Sequence, residues 1–300
     1  MAQSDGGVLA LLETPPDPAR PVLIAGQTAS GKSALALACA RAQGRYVVNA
    51  DALQVWDMWR VLTARPSVAE EAEVPHLLYG HVARGHDWSV GHWLRAVEDI
   101  LAQHPNPVIV GGTGLYFRAL TEGLVEIPPT PSAIRAEADQ RLANSGAAAL
   151  LAELDAATRD RIDTANPARV QRAWEVLRAT GQGLAAWQDA TPPPLLPLAQ
   201  TTALVLHPHR DWGDARIAQR FAQMLDQGAL EETRAVLPFW DQAAPWAKAI
   251  GAPELIAHLQ GHISLEQAQA DATLATRQYA KRQRTWFRAR MGAWRSVPLG

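Results

Sequence analysis

Four short runs of apolar, β-prone residues recur along the chain, separated by longer segments rich in alanine and leucine. The runs are PVLIA (21–25), YVVN (46–49), PVIVGG (107–112) and TTALVLH (201–207). Runs of this length predict buried strands, and the longer segments between them predict helices. Strands that alternate with helices are typical of a mostly parallel sheet with helices on its faces. We therefore predict an α/β fold with one parallel sheet flanked by helices.

The middle of the chain follows a different pattern. Two proline clusters, IPPTP (127–131) and TPPPLLPL (191–198), bracket about 60 residues in which no strand pattern occurs. Within them Asn166 is a favourable N-cap and Gly181 a favourable C-terminal stop, which predicts a helix over 167–180. This stretch is predicted to be an all-helical insertion. The predicted organisation is a loose N-terminal tail (1–20), a core (21–126 and 203–300) and the helical insertion (127–202).

The end of the chain predicts one long basic helix. Ser264 and Gln267 stand at capping-box spacing, and an uninterrupted helical segment runs from there to about Arg290. From Ala272 to Gly300 there is no Asp or Glu. Steps of four, three and four residues place four basic side chains on one helix face. These four are Arg277, Lys281, Arg284 and Arg288.

Composition narrows the class of protein. The formal net charge is −2, from 28 Lys and Arg against 30 Asp and Glu, so the basic helix is a local asymmetry and not a property of the whole chain. The longest apolar stretches are too short to span a membrane, and the N-terminal residues do not resemble a secretory signal. A single cysteine, Cys39, excludes an internal disulfide framework and falls on an apolar helix face. The histidines show no metal-ligand spacing. We expect a cytoplasmic monomer without a structural metal.

The strongest chemical motif is GQTASGKS, which fits the P-loop pattern G-x-x-x-x-G-K-S directly after a predicted strand and before a predicted helix. Backbone N–H groups of such a loop surround an oxyanion, the lysine supplies a positive charge, and the serine can bind Mg²⁺. The motif predicts a site for a pyrophosphate or triphosphate without specifying which ester. Its residues are Gly26, Gln27, Thr28, Ala29, Ser30, Gly31, Lys32 and Ser33, with Ser33 the candidate Mg²⁺ ligand.

Two further fragments follow predicted strands. Asp51 comes after the second strand, where a parallel sheet ends and its ligand cleft begins. Its carboxylate could hold magnesium, accept a proton from a nucleophile, or simply cap a turn. GGTGLY (111–116) follows the third strand, so Thr113 is expected to face the same cleft. From the fragment alone, phosphate contact and a tight turn are equally good interpretations.

Taken together, these and other segments resemble the tRNA dimethylallyltransferase family over residues 21 to 288. The segments that carry the resemblance, in order, are GQTASGKSALA, Asp51 to Gln54, TARP (63–66), VPH (74–76), VGGTGLYFRAL (110–120), NPARVQRAWEV (166–176), RIAQRF (216–221), AIG (249–251) and TRQYAKRQRTWFR (276–288). The last segment is highly specific. The resemblance implies a P-loop NTPase-like core that carries an inserted helical domain for tRNA binding.

The resemblance also implies an activity. The phosphate loop would hold dimethylallyl pyrophosphate instead of ATP, with Mg²⁺ as cofactor. The dimethylallyl group would pass to the exocyclic N6 amine of the adenosine immediately 3′ of the anticodon, within a tRNA anticodon stem-loop. Because that adenine is stacked in the loop, it would have to be turned out into the protein.

Site residues follow from the resemblance by position. Asp51 would be the general base, Thr113 would lie beside pyrophosphate and tRNA, and Arg220 would help neutralise the pyrophosphate. Four segments and one arginine correspond to tRNA contacts. They comprise Asp51 to Gln54 (with Ala52, Leu53 and Gln54), Arg135, Ala168 to Arg172 (Ala168, Arg169, Val170, Gln171, Arg172), Lys248 to Pro253, and Lys281 to Arg288 (Lys281, Arg282, Gln283, Arg284, Thr285, Trp286, Phe287, Arg288).

Some positions depart from the family pattern. Ala52 stands where serine is common, Trp56 stands where tyrosine is usual, and the run HLLYG (76–80) lacks a second histidine and an acidic residue. Two other functions compete with the transferase. A nucleoside or small-molecule kinase would use the P-loop for ATP and Asp51 for an alcohol, and a silent tRNA-binding protein would keep only the fold. The basic, aromatic C-terminal helix favours RNA over a kinase substrate, and the intact loop and Asp51 favour an active enzyme.

Overall fold

A six-stranded, fully parallel sheet forms the centre of the fold. The computed structural model describes Leu12 and residues 15 to 299. In chain order the strands are β1 (Val22–Gly26), β2 (Val47–Asn49), β3 (His76–Leu77), β4 (Val108–Gly111), β5 (Thr202–Pro208) and β6 (Arg295–Leu299). They are arranged in the order β3-β2-β4-β1-β5-β6. Strand β1, which leads into the phosphate loop, is therefore central and pairs with β4 and β5.

The four strands expected from the sequence are confirmed, and two more lie at the edges of the sheet. β3 has only two residues, too few to show a hydrophobic pattern. β6 contains Pro298, which cannot donate a backbone hydrogen bond. An edge strand tolerates this residue because one side of it has no partner strand. Because proline is otherwise atypical of a strand, the sequence signal for this edge strand is weak.

Helices surround the sheet and also form a separate part of the chain. Before the insertion they are α1 (Lys32–Gln43), α2 (Val68–Glu73), α3 (Val90–Gln103) and α4 (Gly114–Glu122). Within it they are α5 (Ser132–Ala152), α6 (Ala156–Arg161), α7 (Pro167–Thr180) and α8 (Leu184–Asp189). After it come α9 (Arg210–Asp226), α10 (Ala229–Val236), α11 (Ala252–Leu259) and α12 (Leu265–Arg290). Short 3₁₀ turns cover Leu198–Gln200, Leu237–Phe239 and Pro245–Lys248.

Two large apolar clusters support the described part of the sheet-containing unit. One joins β1, β2, β4 and β5 to the inner face of α1, where Leu35, Ala36 and Cys39 are almost fully buried. The second lies under the loop after β2 and collects tryptophans. Trp59 is fully buried there and its indole N–H donates to the carbonyl oxygen of Trp246, at 2.9 Å. The departure at position 56 is part of this cluster, since Trp56 is buried.

The chain divides into two compact units, one from Met1–Thr121 with Leu196–Gly300 and one from Glu122–Leu195. The predicted insertion, 127–202, ends later than the second unit. The reason is that the Leu196 N–H donates to the Leu120 carbonyl oxygen and Thr202 already begins β5, so the chain has returned to the first unit by then.

The second unit is helical, as the proline brackets predicted. α7 covers the expected 167–180, with the Asn166 side chain accepting from two backbone N–H groups of its first turn and Gly181 ending it at φ 72°. Val170 and Trp174 of this helix are buried against α5. α5 is interrupted at Gly146, whose φ is 72° and whose backbone is not helical.

Two details at the chain ends differ from the sequence expectation. Most of the predicted loose tail lies outside the described residues. Of its described part, Asp17 and Arg20 accept hydrogen bonds through their carbonyl oxygens from the Arg45 guanidinium, which anchors this stretch to the core. At α12, Ser264 caps the helix as expected, but the Gln267 side chain donates to Asp271 instead of returning to the cap. Among the described residues, no helix is long and apolar enough to cross a membrane.

Cys39 provides a test of the core around α1. It is 1% exposed, and burial raises the pKa of its thiol to about 11, so we expect it to be unreactive in the folded protein. Incubation with a thiol-alkylating reagent at pH 8, followed by intact mass measurement, should show no added group. The same reagent in denaturant should label the protein once. Rapid labelling without denaturant would contradict this packing.

Candidate active site

The phosphate loop connects the central strand β1 to the first turn of α1. Gly31 has φ 84°, a left-handed conformation that glycine adopts without strain, and it starts the helix. Lys32 is 9% exposed and its Nζ donates to the carbonyl oxygen of Gln27, at 3.3 Å. Ser33 is exposed at the same helix terminus. The first two residues of α1 thus carry an ammonium and a hydroxyl directly after the loop.

Lys32 is held in an environment that disfavours its charge. Burial lowers the pKa of Lys32 from 10.5 to about 8; Asp51 opposes this shift and Arg220 adds to it. Burial likewise lowers the pKa of Arg220, again against the influence of Asp51. Two cations are therefore concentrated near one carboxylate. Such an arrangement attracts an anion, because bound phosphate oxygens would replace the water that burial removes from these cations.

Asp51 lies just beyond the carboxyl end of β2 and its backbone is fixed by Asn49. The Asn49 side chain accepts from the Asp51 N–H at 2.8 Å and donates to the Asp51 carbonyl oxygen at 2.9 Å. Oδ1 of Asp51 accepts from the Leu53 N–H at 3.0 Å, so the side chain does form a turn. It also lines a cavity. The turn interpretation and a chemical role are thus compatible. Asn49 was not recognised from sequence, although it ends β2 two residues before Asp51.

The loop after β4 combines a polar side chain with close packing. The Thr113 hydroxyl oxygen accepts from the Ala52 N–H at 2.9 Å, which ties this loop to the Asp51 segment. A Cβ at Gly112 would lie 2.3 Å from the Gln283 amide nitrogen, and one at Gly114 would lie 2.2 Å from the Trp286 ring. Neither distance is possible for a larger residue. These two glycines therefore allow the loop after β4 to approach α12 closely.

A cavity that is partly open to solvent lies beside the phosphate loop. Its polar lining residues include Thr28, Asp51, Arg220 and Tyr279. Most of the other lining residues are apolar and form what is here called the apolar wall. The apolar side chains are Ala29, Leu53, Leu62, Ile217, Phe221, Met224 and Ile250, with Thr63 and Thr276 completing the wall. The structure thus brings three predicted site elements together, namely the loop, Asp51 and Arg220.

Most of the apolar wall was not predicted from the sequence. Its clearest sequence signal is on α9, where Ile217, Phe221 and Met224 recur at the spacing of one helix face. That pattern is equally typical of a helix that only packs in a core. The wall becomes recognisable as a cavity lining only when α9 is seen next to the phosphate loop.

Helix α12 is hydrogen-bonded to the phosphate loop. Gln283 Oε1 accepts from the Thr28 N–H at 2.9 Å and its Nε2 donates to the Gly112 carbonyl oxygen at 3.0 Å. Arg284 donates to the Gln27 side chain at 2.9 Å. Gln283 is only 6% exposed, so it is an internal link and not the predicted tRNA contact. Arg284 also turns inward from the predicted basic face.

Two other predicted tRNA contacts are corrected by burial, and the side chain of a third is hydrogen-bonded within the protein. Phe287 is 2% exposed and Val170 is 0% exposed, so both side chains belong to apolar packing. A buried ring or isopropyl group has no surface left for RNA. The Gln54 amide nitrogen donates to the carbonyl oxygens of Thr63 and Ala64, at 2.9 and 2.8 Å, and fixes the neighbouring loop.

The other predicted contacts in α12 and the 3₁₀ turn before α11 remain accessible. They are Lys248, Lys281, Arg282, Thr285 and Arg288, which are exposed, and Trp286, which is half-buried. Arg277, Lys281 and Arg288 keep the exposed basic face of α12. Their RNA contact stays a prediction.

In the helical unit a buried carboxylate organises the predicted contacts. Glu175 is 4% exposed and lies within 3.9 Å of Arg135 and 3.7 Å of Arg172. Gln171 donates to it as well, at 3.1 Å. Ala168 and Arg169 are exposed at the start of α7. Arg135 and Arg172 are thus partly neutralised by one internal acid.

Comparison with known proteins identifies the family. Residues 54 to 290 match the family described as IPP transferase. The chain belongs to the IPP transferase family. Curated relatives include the tRNA dimethylallyltransferases of Cereibacter sphaeroides, 64% identical over 93% of this chain and 89% of the relative, and of Dinoroseobacter shibae, 63% identical over 94% and 95%.

A solved structure of this family supports the fold. The full-length tRNA isopentenylpyrophosphate transferase from Bacillus halodurans matches with a TM-score of 0.66 and 26% identity, over 93% of this chain and 90% of that chain. The predicted P-loop-type α/β fold is therefore confirmed, and the IPP transferase assignment agrees with the resemblance seen in the sequence.

Lys32→Met tests whether this IPP transferase holds a strained cation. The folded-state pKa of Lys32, about 8, is below the unfolded value of 10.5, so the charge destabilises the ligand-free fold at pH 7 and the effect fades as pH rises from about 8 to 10.5. Removing it should raise the free energy of unfolding at pH 7, by an amount on the order of 3 kcal/mol at most. Denaturant titrations at pH 7 and pH 10 measure the difference.

The matched control for this prediction is Lys248→Met, which removes an exposed lysine. It should change the unfolding free energy little at either pH. The buried-cation interpretation would be contradicted if Lys32→Met lowered the free energy of unfolding, and lowered it equally at pH 7 and at pH 10.

Proposed function

We propose that this protein transfers the dimethylallyl group of dimethylallyl pyrophosphate to the exocyclic N6 amine of the adenosine immediately 3′ of the anticodon in tRNA. The products are N6-(dimethylallyl)adenosine and pyrophosphate. As a member of its family, the chain is a prenyltransferase that acts on tRNA. The choice of adenosine and of the anticodon stem-loop is the finer part of the proposal. A monomeric state and a cytoplasmic location, expected from the sequence, stay predictions.

The observation that carries the proposal is the cavity beside the phosphate loop, with its two kinds of wall. Asp51, Arg220 and Thr28 of the loop all line it, which supports a pyrophosphate site with a proton acceptor nearby. The apolar wall, with Leu62, Phe221 and others, suits a hydrocarbon. A substrate with a charged head and an apolar tail matches both. Dimethylallyl pyrophosphate is such a molecule.

We assign to Asp51 the role of accepting the proton of the adenine exocyclic amine. The exocyclic amine of adenine is a poor nucleophile because its lone pair is delocalised into the ring, so loss of its proton as the C–N bond forms helps the reaction. Oδ1 of Asp51 accepts from the Leu53 N–H, and Oδ2 is the oxygen that we assign to the amine proton. The fixed Asn49 contacts hold the carboxylate at its place near the loop.

The leaving pyrophosphate meets cations as its negative charge increases. Lys32 and Arg220 supply them, and the loop N–H groups add hydrogen bonds. The Ser33 hydroxyl is a hard oxygen donor of the kind that Mg²⁺ prefers, and it is exposed at the helix terminus, so it fits as a magnesium ligand. Bound Mg²⁺ would neutralise part of the pyrophosphate charge.

A kinase remains the alternative use of the loop. It would need a polar pocket for the acceptor and for the sugar of ATP. The apolar wall beside the loop favours a hydrocarbon group instead, and the exposed basic face of α12 favours RNA phosphates. A silent RNA-binding protein would have no reason to keep Lys32 buried at a cost in stability.

The reaction itself can be tested directly. Incubation with unmodified tRNA, Mg²⁺ and dimethylallyl pyrophosphate, followed by digestion and mass measurement of nucleosides, should yield dimethylallyl-adenosine. Asp51→Asn keeps the shape but not the basicity of the side chain, and we expect turnover to fall by about 10² or more. Its tRNA affinity should stay within about twofold of the wild type. Phosphate transfer from ATP to a small acceptor, without prenylation, would establish the kinase instead.

The salt dependence of tRNA binding tests the exposed basic face. Affinity should fall steeply as salt rises because neutralised phosphates release counterions. Lys281→Ala with Arg288→Ala should weaken binding. The dependence of log affinity on log salt should also become shallower, by about 0.7 to 0.9 for each phosphate that the variant no longer neutralises.

Arg234→Ala is the matched control, since this exposed arginine lies on α10 away from α12. It should leave the slope unchanged. A double variant with the slope of the wild type would show that RNA binds elsewhere.

A further inference from the structure

One face of α9 lines the cavity with three side chains that the phosphate chemistry does not use. Ile217, Phe221 and Met224 are 2%, 4% and 8% exposed, and all three contribute to the cavity wall. Their spacing puts them on one side of the helix, together with Arg220. The helix therefore runs along the cavity, with one cation among apolar side chains.

The two ends of this face lie in different surroundings. Ile217 packs with Ala29 of the phosphate loop and Ala280 of α12. The adjacent Arg216 donates to the Ala29 carbonyl oxygen at 3.2 Å, which fixes this end at the loop. Met224 instead belongs to the second apolar cluster. The lining face of α9 thus extends from the phosphate loop to that cluster, and Met224 lies at its inner end, which is the end far from the loop.

The rise per residue of an α-helix gives the distance between Arg220 and Met224 along the cavity. Arg220 and Met224 are four residues apart, so they are separated by about 6 Å along the axis of α9. A pyrophosphate held by Arg220 and the loop would direct its hydrocarbon along the helix. One helical turn is roughly the length of a five-carbon dimethylallyl group. A second isoprene unit would meet the Met224 side chain.

Two other side chains that line the cavity, Phe221 and Leu62, are packed against backbone. Gly251 has φ 97°, and a Cβ there would lie 2.7 Å from a ring carbon of Phe221 and 2.9 Å from a methyl carbon of Leu62. These two side chains therefore cannot move towards Gly251. Methionine is unbranched and flexible, and shortening it opens space without moving the backbone. Met224 is thus the side chain at which the length of the cavity can change.

We propose that Met224 determines the chain length of the isoprenoid that this enzyme accepts, by closing the inner end of the cavity after one five-carbon unit. The inference rests on the proposed function and adds to it the specificity for the length of the isoprenoid chain. Met224 acts by exclusion: it contacts the end of the hydrocarbon and takes no part in bond formation.

The test compares dimethylallyl pyrophosphate with the ten-carbon geranyl pyrophosphate on the same tRNA. The wild type and Met224→Ala are assayed with each, and the modified nucleosides are distinguished by mass. For Met224→Ala we expect the ratio of kcat/KM for geranyl over dimethylallyl to rise at least roughly tenfold above that of the wild type. Met224→Leu, which keeps the volume, should retain the wild-type ratio.

A core truncation outside the cavity is the matched control. Leu255→Ala removes a fully buried side chain of α11 from the same apolar cluster, but Leu255 does not line the cavity. It should destabilise the protein without changing the substrate ratio. Met224→Val, a milder truncation, repeats the test if Met224→Ala does not fold, and thermal melting identifies that case.

The outcomes separate the two proposals. If the wild type does not modify tRNA with dimethylallyl pyrophosphate, the proposed function fails. If it does, but Met224→Ala and Met224→Val keep the wild-type ratio, the chain-length inference is overturned and the inner end of the cavity serves another group, such as the adenine. A rise of the ratio in Leu255→Ala as large as in Met224→Ala would also overturn it, because general loosening would then be the cause.

Discussion

The site depends on a buried positive charge with too little compensation inside the protein. Lys32 is buried and Arg220 is half-buried, and among the described residues Asp51 is the carboxylate whose influence opposes the lowering of both pKa values. A desolvated ammonium costs free energy unless an anion is near it. The fold accepts this cost at the end of a central strand, where neighbouring strands and α1 hold the loop. The binding of a phosphorylated substrate removes the cost, so the same feature that weakens the free protein strengthens the complex.

The rigidity of this arrangement comes from contacts between segments that are distant in the chain. Gln283 joins the Thr28 N–H of the phosphate loop to the Gly112 carbonyl oxygen in the loop after β4. Thr113, in the same loop after β4, accepts from the Ala52 N–H in the loop after β2. Three loops at the carboxyl edge of the sheet therefore share one hydrogen-bonded network with α12. Since α12 also carries the exposed basic face, RNA bound there would contact a helix that is bonded to the loop where the pyrophosphate is proposed to bind.

Local signals in the sequence were sufficient for much of the fold. The P-loop, the four strand patterns and the helix after Asn166 each depend on residues close together in the chain, such as a capping side chain or a glycine with positive φ. For these elements the sequence expectation and the structure agree. Edge strand β6, with Pro298, and the two-residue β3 carry no comparable signal because they are formed by pairing with neighbouring strands.

By itself the sequence determined the phosphate loop, Asp51, the family and the basic helix, since each is written in contiguous residues or recurring motifs. Only the tertiary structure decided which side chains of α12 point inward, so that Gln283 and Phe287 are internal while Lys281 and Arg288 are exposed. It also decided that the apolar face of α9 borders a cavity. Helical periodicity states that a face is apolar, but what that face meets depends on residues far away in the chain.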